Sequence, residues 1–195
     1  MRVIAGKYRS RPLRSLRGMD IRPTSDRVRE TLFNVLTAGN PEALVGSAWL
    51  DLFAGTGSVG IEALSRGAKE VHFVENSDTA VQAIRKNLHS LGIIEGFKIV
   101  QQEVPQAFWR MERDRVAADV VFIDPPYRMK EAYTRTLGAL AESSLIWAMA
   151  VVIAEHEHKF DPGQEFGPLR RFRRLVQGST ALSFYRLGSS GDVRV

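Results

Sequence analysis

The pattern of apolar and polar positions changes twice along the chain. Between Asp26 and Leu36 the apolar residues Val28, Leu32, Val35 and Leu36 recur at three- and four-residue spacing, which predicts an amphipathic helix. Thr24 or Ser25 is placed to cap its start, and "GNP" at 39–41 stops it. From about residue 47, apolar runs of strand length alternate with helix-like segments. "AWLDLF" leads to "SVGIEALSRGA", "EVHFVE" to "DTAVQAIRKNLHSLG", "FKIVQQ" to "PQAFWRM" and "DVVFID" to "KEAYTRTLGALAES", and "AVVIAEH" follows. Strands rich in Val, Ile and Phe, apolar on both faces and separated by helices, predict an α/β fold with a parallel sheet. Beyond about residue 160, "LRRFRRLVQG" and "STALSFYRL" alternate apolar and polar residues around a Gly-Ser turn, the pattern of a terminal antiparallel hairpin. The first residues are basic and rich in turn formers, with a short strand expected at Arg2–Ala5. The expected organisation is a basic arm and helix over 1–40, a sheet domain over 41–188 and a frayed tail over 189–195.

Composition narrows this. With 195 residues, 44% of them hydrophobic, the chain has material for one sizeable core and a small appendage. It contains no cysteine, which excludes disulfides, thiolate metal sites and cysteine nucleophiles. The opening "MRVIAGKYRSRPLR" has no apolar stretch of signal-peptide length. The longest apolar run, Leu145–Ala154, is too short to span a bilayer. A cytoplasmic protein is expected.

Charge adds a partner class. The chain carries +5 with a pI of about 9.8, a balance that favours a polyanion. Residues 1–30 hold nine Lys/Arg against three acids, a surplus larger than that of the whole chain. A second cluster is "RRFRR", Arg170–Arg174. Lys7, Arg9, Arg11, Arg22, Arg27, Arg170 and Arg171 are candidate phosphate contacts. Arg22, Arg27 and Arg29 flank the first helix. Either they serve a ligand carboxylate or RNA, or they pair along the helix, as Asp26 with Arg29 or Arg22 would. Phe172 alternates as a strand residue should and is expected in the core. "HEH" at 156–158 puts two imidazoles on one strand face, but no further ligands complete a metal site, and none is expected. His72 and His89 read as ordinary sheet and helix residues.

Two strand ends carry the chemistry. The first strand runs into "DLFAGTGSVG", where Gly55, Gly57 and Gly60 spell G-x-G-x-x-G between a strand and a helix. Asp51 stands at the loop entrance, where it would meet the ammonium or sulfonium end of S-adenosylmethionine better than a pyrophosphate. Glu75 ends the next strand, about twenty residues past the glycines, where an acid can accept hydrogen bonds from both ribose hydroxyls. Glu103 could accept from an adenine amino group, with the Val104 N–H donating to the ring; an acid at a helix start reads equally as a dipole partner. The fourth strand ends in "DPPY", Asp124–Tyr127. An exocyclic amine on a nucleobase is a poor nucleophile because its lone pair is delocalised. Two acceptors on its hydrogens, the Asp124 carboxylate and the Pro125 carbonyl, would turn that pair toward an electrophile and stabilise the developing charge. Prolines fix the carbonyl's direction, and the Tyr127 ring can stack on the base.

"DLFAGTG" and "DPPY" resemble two motifs of class I S-adenosylmethionine-dependent amino-methyltransferases. "MRVIAGKYRSRPL", "RPTSDRVRETLFNVL", "DLFAGTGSVGIEALSRGA" and the late "GSTALSFY" resemble, over nearly the whole chain, the ribosomal small-subunit methyltransferase D family. Thr56 stands where serine is common, and Glu103 where aspartate is common. The resemblance implies a Rossmann-like class I methyltransferase fold with a mostly parallel seven-stranded sheet, a C-terminal antiparallel hairpin and a small basic N-terminal extension. It implies S-adenosylmethionine contacts at Asp51, Phe53, Ala54, Gly55, Thr56, Gly57, Glu75, Asn76, Glu103 and Val104. It also implies amine positioning by Asp124, Pro125, Pro126 and Tyr127, and a monomer acting on a guanine N2 amine in 16S rRNA or the small ribosomal subunit. DPPY alone does not separate guanine from adenine or cytosine amines. The alternatives are an N6-adenine methyltransferase on DNA or RNA, a non-catalytic RNA-binding protein with a vestigial cofactor site, and an NAD oxidoreductase, which Asp51 disfavours.

Overall fold

The computed structural model describes residues 1–15 and 25–188. Arg17, Arg22, Thr24 and the expected tail at 189–195 lie outside the described residues. The chain divides into two compact units, Met1–Val104 and Pro105–Val195. Among the described residues there are five helices and eight strands. None of these helices is long and apolar enough to cross a membrane.

In the first unit, α1 (Asp26–Leu36) starts at Ser25, whose side chain accepts from the Val28 N–H at 3.2 Å. Strands β1 (Ala48–Leu52), β2 (Glu70–Val74) and β3 (Phe97–Val100) pair in parallel in the order β3-β2-β1. Helix α2 (Ser58–Ser65) links β1 to β2, and α3 (Asp78–Leu91) links β2 to β3. Apolar spacing makes α3 amphipathic: Ala80, Val81, Ile84, Leu88 and Leu91 are buried on one side, Ser77 caps the start, and Gly92 closes the end at φ 71°. Helix α2 is buried nearly all round. Trp49 of β1 and Phe33 of α1 stack at 5.4 Å between ring centres, with the Arg66 guanidinium 4.7 Å from the Phe33 ring.

The second unit begins one residue into α4 (Val104–Arg113) and continues through β4 (Ala118–Ile123), α5 (Lys130–Glu142) and β5 (Ile146–Glu157). Then come β6 (Glu165–Phe166), β7 (Leu169–Gln177) and β8 (Thr180–Leu187). The order is β4-β5-β8-β7-β6. β4 and β5 are parallel, and the remaining pairs are antiparallel. The expected hairpin is β7–β8. β8 does not alternate, because it lies between β5 and β7 and buries every residue from Thr180 to Tyr185. The sheet count exceeds the expected seven through β6, whose two residues carry no strand pattern in the sequence.

The strand expected at Arg2–Ala5 is reduced to one bridge, Arg2 with Pro12. The reason lies in α2. Glu62, wholly buried, accepts from the Ile4 N–H at 2.7 Å and the Ala5 N–H at 3.0 Å, taking donors that a strand would give to a neighbour. Its Oε1 also takes the Arg66 Nε–H at 2.8 Å. The Ser65 hydroxyl and carbonyl accept from Tyr8 and Lys7 N–H groups at 3.0 and 2.7 Å. Gly6 turns here at φ 81°, and a Cβ on it would lie 1.8 Å from the Ser65 oxygen, so only glycine fits. Farther on, Arg14 N–H donates to the buried Asn87 of α3 at 2.8 Å. Asn87 Nδ2 in turn donates to the Thr56 carbonyl at 3.0 Å. The basic arm is therefore a bound strap whose backbone is fixed and whose Lys7, Arg9 and Arg11 remain exposed.

Replacing Glu62 by Ala leaves two arm N–H groups and the Arg66 guanidinium without their shared acceptor. The expected loss is about 3 kcal/mol in urea unfolding, together with faster tryptic cleavage at Lys7 and Arg9. A loss below about 1 kcal/mol with unchanged cleavage would show that the strap is held by other contacts.

Candidate active site

Asp51, the next-to-last residue of β1, is buried just ahead of the loop. Its Oδ2 accepts from the Gly60 N–H at 2.9 Å. The N-cap of α2 is Gly57, which has no side chain to satisfy the first-turn donors, so the strand supplies the carboxylate instead. The chain reaches that point through an unusual turn. Phe53, Gly55 and Gly57 all have positive φ, at 59°, 55° and 75°. Phe53 is the costly one, since a side chain disfavours that region. Gly57 N–H donates to the Ala54 carbonyl at 2.7 Å, closing the turn. The third glycine has a packing role: a Cβ on Gly60 would lie 2.4 Å from the Phe73 ring and 2.7 Å from Val71 of β2. Its absence lets α2 lie close on the strand.

Glu75 follows β2 and is half-buried. One oxygen accepts from the Gly55 N–H at 2.8 Å and the other from the Ser77 N–H at 2.9 Å. The acid therefore ties the glycine loop to the start of α3 while keeping further acceptor capacity, since a carboxylate has about four lone-pair sites. Ala54 and Thr56 are buried, and Asn76 is exposed beside Glu75. Glu103 is exposed, and Val104, buried, opens α4. These residues fit an adenosyl ligand with a cationic end: one carboxylate at the end of β1, a second fixed one residue beyond the adjacent strand, and a close backbone bend between them. They fit a pyrophosphate poorly, because both carboxylates repel it.

In the second unit, β4 delivers Asp124, half-buried, and Pro125, buried, with Pro126 and Tyr127 half-buried after them. The Tyr127 hydroxyl lies 3.2 Å from the Thr180 hydroxyl of β8, which steadies the ring. Behind the turn is Tyr133 of α5, almost wholly buried. Its hydroxyl is 2.9 Å from the Glu155 carbonyl and 3.3 Å from the Pro125 carbonyl. One hydroxyl hydrogen thus serves both carbonyls, with the shorter contact to Glu155. Burial, reinforced by the charge of Asp124, pushes the Tyr133 hydroxyl well above its ordinary range, so it stays protonated and donates throughout the working pH range. Sequence reading missed Tyr133. The signal available was a Tyr in the first turn of the helix after DPPY, at a position the apolar pattern assigns to the core.

The basic residues separate into two kinds. Arg27 and Arg170 are exposed. Arg29 is wholly buried and structural: it meets Asp26 at 2.6 Å, the Arg2 carbonyl at 2.7 Å and the Ser58 carbonyl at 3.3 Å, the helix pairing weighed above. The Arg171 side chain is only 10% exposed and holds Asp161 through two hydrogen bonds, at 2.6 and 3.1 Å. That guanidinium keeps the Asp161 carboxyl down at about 2. Phe172, expected in the core, is 50% exposed. The alternation that assigned it inward breaks at a register shift between Arg171 and Arg173. The two imidazoles of "HEH" do not share a strand face, because β5 ends at Glu157 and His158 lies in the turn beyond it. His156 is buried, 2.9 Å from the Ser183 hydroxyl, and burial lowers its pKa. His72 is a buried sheet residue 3.2 Å from Glu70.

Comparison with known proteins converges on one family. The family model described as "Conserved hypothetical protein 95" matches residues 1–186. The ribosomal RNA small subunit methyltransferase D of Haemophilus influenzae is 38% identical over 157 residues, 80% of this chain and 79% of that protein. The protein of the same name from Escherichia coli K12 is 31% identical, covering 98% of this chain and 92% of its own length. A solved Escherichia coli structure superposes with a TM-score of 0.80 at 28% identity, over 96% of this chain and 98% of that one. The chain belongs to the ribosomal small-subunit methyltransferase D family of rRNA methyltransferases.

Proposed function

We propose that the protein transfers a methyl group from S-adenosylmethionine to the exocyclic N2 amine of a guanine in 16S rRNA, acting as a cytoplasmic monomer. The observation that carries this reading is the DPPY turn: a half-buried carboxylate followed by a rigid carbonyl that Tyr133 backs from behind. S-adenosylmethionine, when bound, supplies an already activated methyl group. Everything else asked of the chain is binding and positioning. Asp51 and Glu75 face the cationic and ribose portions of the donor, with Phe53 to Gly57 forming the bend between them and Asn76, Glu103 and Val104 completing the contacts. Asp124 and the Pro125 carbonyl accept the two amine hydrogens, so the nitrogen lone pair is directed out of the ring plane. Pro126 holds the turn, and Tyr127 stacks on the base. The amine nitrogen would take the methyl carbon as its bond to the donor's sulfonium sulfur breaks, the donor leaving as the neutral thioether; Asp124 would meet the positive charge then on nitrogen and pass the surplus proton to water.

Two variants test the assignment. Asp124→Ala, still folded and binding the donor in calorimetry, is expected to lose methyl transfer by about a hundredfold or more. Near-normal turnover at saturating donor would sink the role given to this acid. Mass mapping of the product on small-subunit rRNA is expected to find N2-methylguanosine, and N6-methyladenosine instead would assign a different base.

Tyr133→Phe keeps the ring and removes the hydroxyl. It is expected to lower kcat by roughly two- to tenfold with KM for RNA unchanged, because the Pro125 carbonyl loses its donor. A change in thermal midpoint alone, with kcat intact, would reduce Tyr133 to a packing residue.

A further inference from the structure

The C-terminal strands carry a surface that neither the glycine loop nor the DPPY turn uses. Arg170 of β7 stands opposite Arg186 of β8, Arg171 opposite Tyr185, and Arg173 opposite Phe184. Phe172 is the extra residue between them, the signature of a β-bulge. Directly opposed residues share a face of the sheet. The Phe172 ring lies 6.2 Å from the Phe184 ring and 4.4 Å from the Arg186 guanidinium, which places it on their face. Arg170 and Arg173 are on that face by their pairing, and all three arginines are exposed with Phe172. Without the extra residue, Arg173 would be displaced by one position and point to the other side.

Two features of this face are unfavourable in the isolated protein. Arg170 and Arg186 are like charges directly opposite each other, which destabilises a strand pair. Glu165 pairs with Arg170, and Arg173 and Arg186 are exposed beside Phe172. The second feature is a large aromatic side chain half in water, yet held in one orientation between Phe184 and Arg186. An anionic partner that also offers flat apolar rings relieves both at once, and unpaired nucleotides have that chemistry: phosphates for guanidinium groups, base faces for an aromatic ring or an arginine plane.

We infer that the bulged face of β7 and β8 binds unpaired rRNA, with phosphates at Arg173 and Arg186 and one base stacked against the Phe172–Arg186 pair. The identity of the RNA rests on the rRNA reading above; the surface itself is independent of the DPPY chemistry. It also replaces Arg171, which Asp161 occupies, by Arg173 and Arg186 as the phosphate contacts of this cluster.

The test uses the full chain and a labelled small-subunit rRNA fragment, with affinity measured by fluorescence anisotropy across a salt series. Phe172→Leu keeps apolar cover over Phe184 but removes the stacking ring, and affinity is expected to fall about tenfold. The double variant Arg173→Gln with Arg186→Gln is expected to reduce the slope of log affinity against log salt by about 1.4, the share of two single-strand phosphate contacts. S-adenosylmethionine binding stays as in the wild type, and the thermal midpoint does not fall, since Arg186→Gln relieves the repulsion with Arg170. Affinity and slope unchanged in both variants would overturn the proposal. So would a loss confined to the assembled ribosomal particle with free rRNA unaffected, which would assign the face to a protein partner. If the wild type binds rRNA through Phe172 but methylates no guanine, the reading of the reaction fails and the surface stands.

Discussion

The first unit depends on how two buried polar side chains spend their hydrogen bonds. Glu62 is a carboxylate with no exposure, and removing it from water is tolerable only because backbone N–H groups and Arg66 meet it. Those N–H groups belong to the basic arm. Asn87 makes the second tie, accepting from Arg14 and donating to Thr56 inside the glycine loop. The arm, α2, α3 and the loop are therefore one hydrogen-bonded body. An arm that is rich in arginine and otherwise weakly structured is held largely by its backbone, with the side chains of Lys7 and Arg9 exposed.

The same economy shapes the loop. The Asp51 and Glu75 carboxylates each hold a backbone N–H at one end of the bend, that of Gly60 in the first turn of α2 and that of Gly55 in the loop. A positive φ at Phe53 is sustained by these ties, since a lone turn would relax it. Preorganisation matters for a reaction whose electrophile arrives already activated, because orientation is then most of what the protein contributes. The DPPY turn follows the same rule in the second unit. Prolines limit its backbone, and the buried, protonated Tyr133 hydroxyl donates to one of its carbonyls, that of Pro125.

Much of this was legible in the sequence, and the failures have identifiable physical causes. Parallel strands betray themselves by runs such as "DVVFID" that are apolar on both faces, and α3 by its spacing and its Ser and Gly ends. The acids at the ends of β1 and β2 were readable because a charged residue there contradicts burial. Glu62 and Asn87 were not, because an acid or amide in a helix ordinarily reads as a solvent-facing residue, and nothing local says which backbone it will meet. Tyr133 was hidden in the same way: its ring satisfies the core pattern, while its hydroxyl acts on Pro125 eight residues back.

The arginine cluster shows the limit most sharply. Strict alternation through "LRRFRR" puts Phe172 on the opposite face from Arg171 and Arg173 and assigns it inward. A single inserted residue breaks that parity, and every side chain beyond it changes face. The consequence is chemical as well as geometric. Arg171 turns to Asp161 and becomes part of the fold, whereas Arg173 joins Phe172 and Arg186 on the outer face. Bulges arise from the balance of twist and pairing over both strands, not from the composition of one. A basic, aromatic stretch can therefore be recognised from sequence as a charged surface in bulk, but the division of its arginines between structure and surface is decided by register.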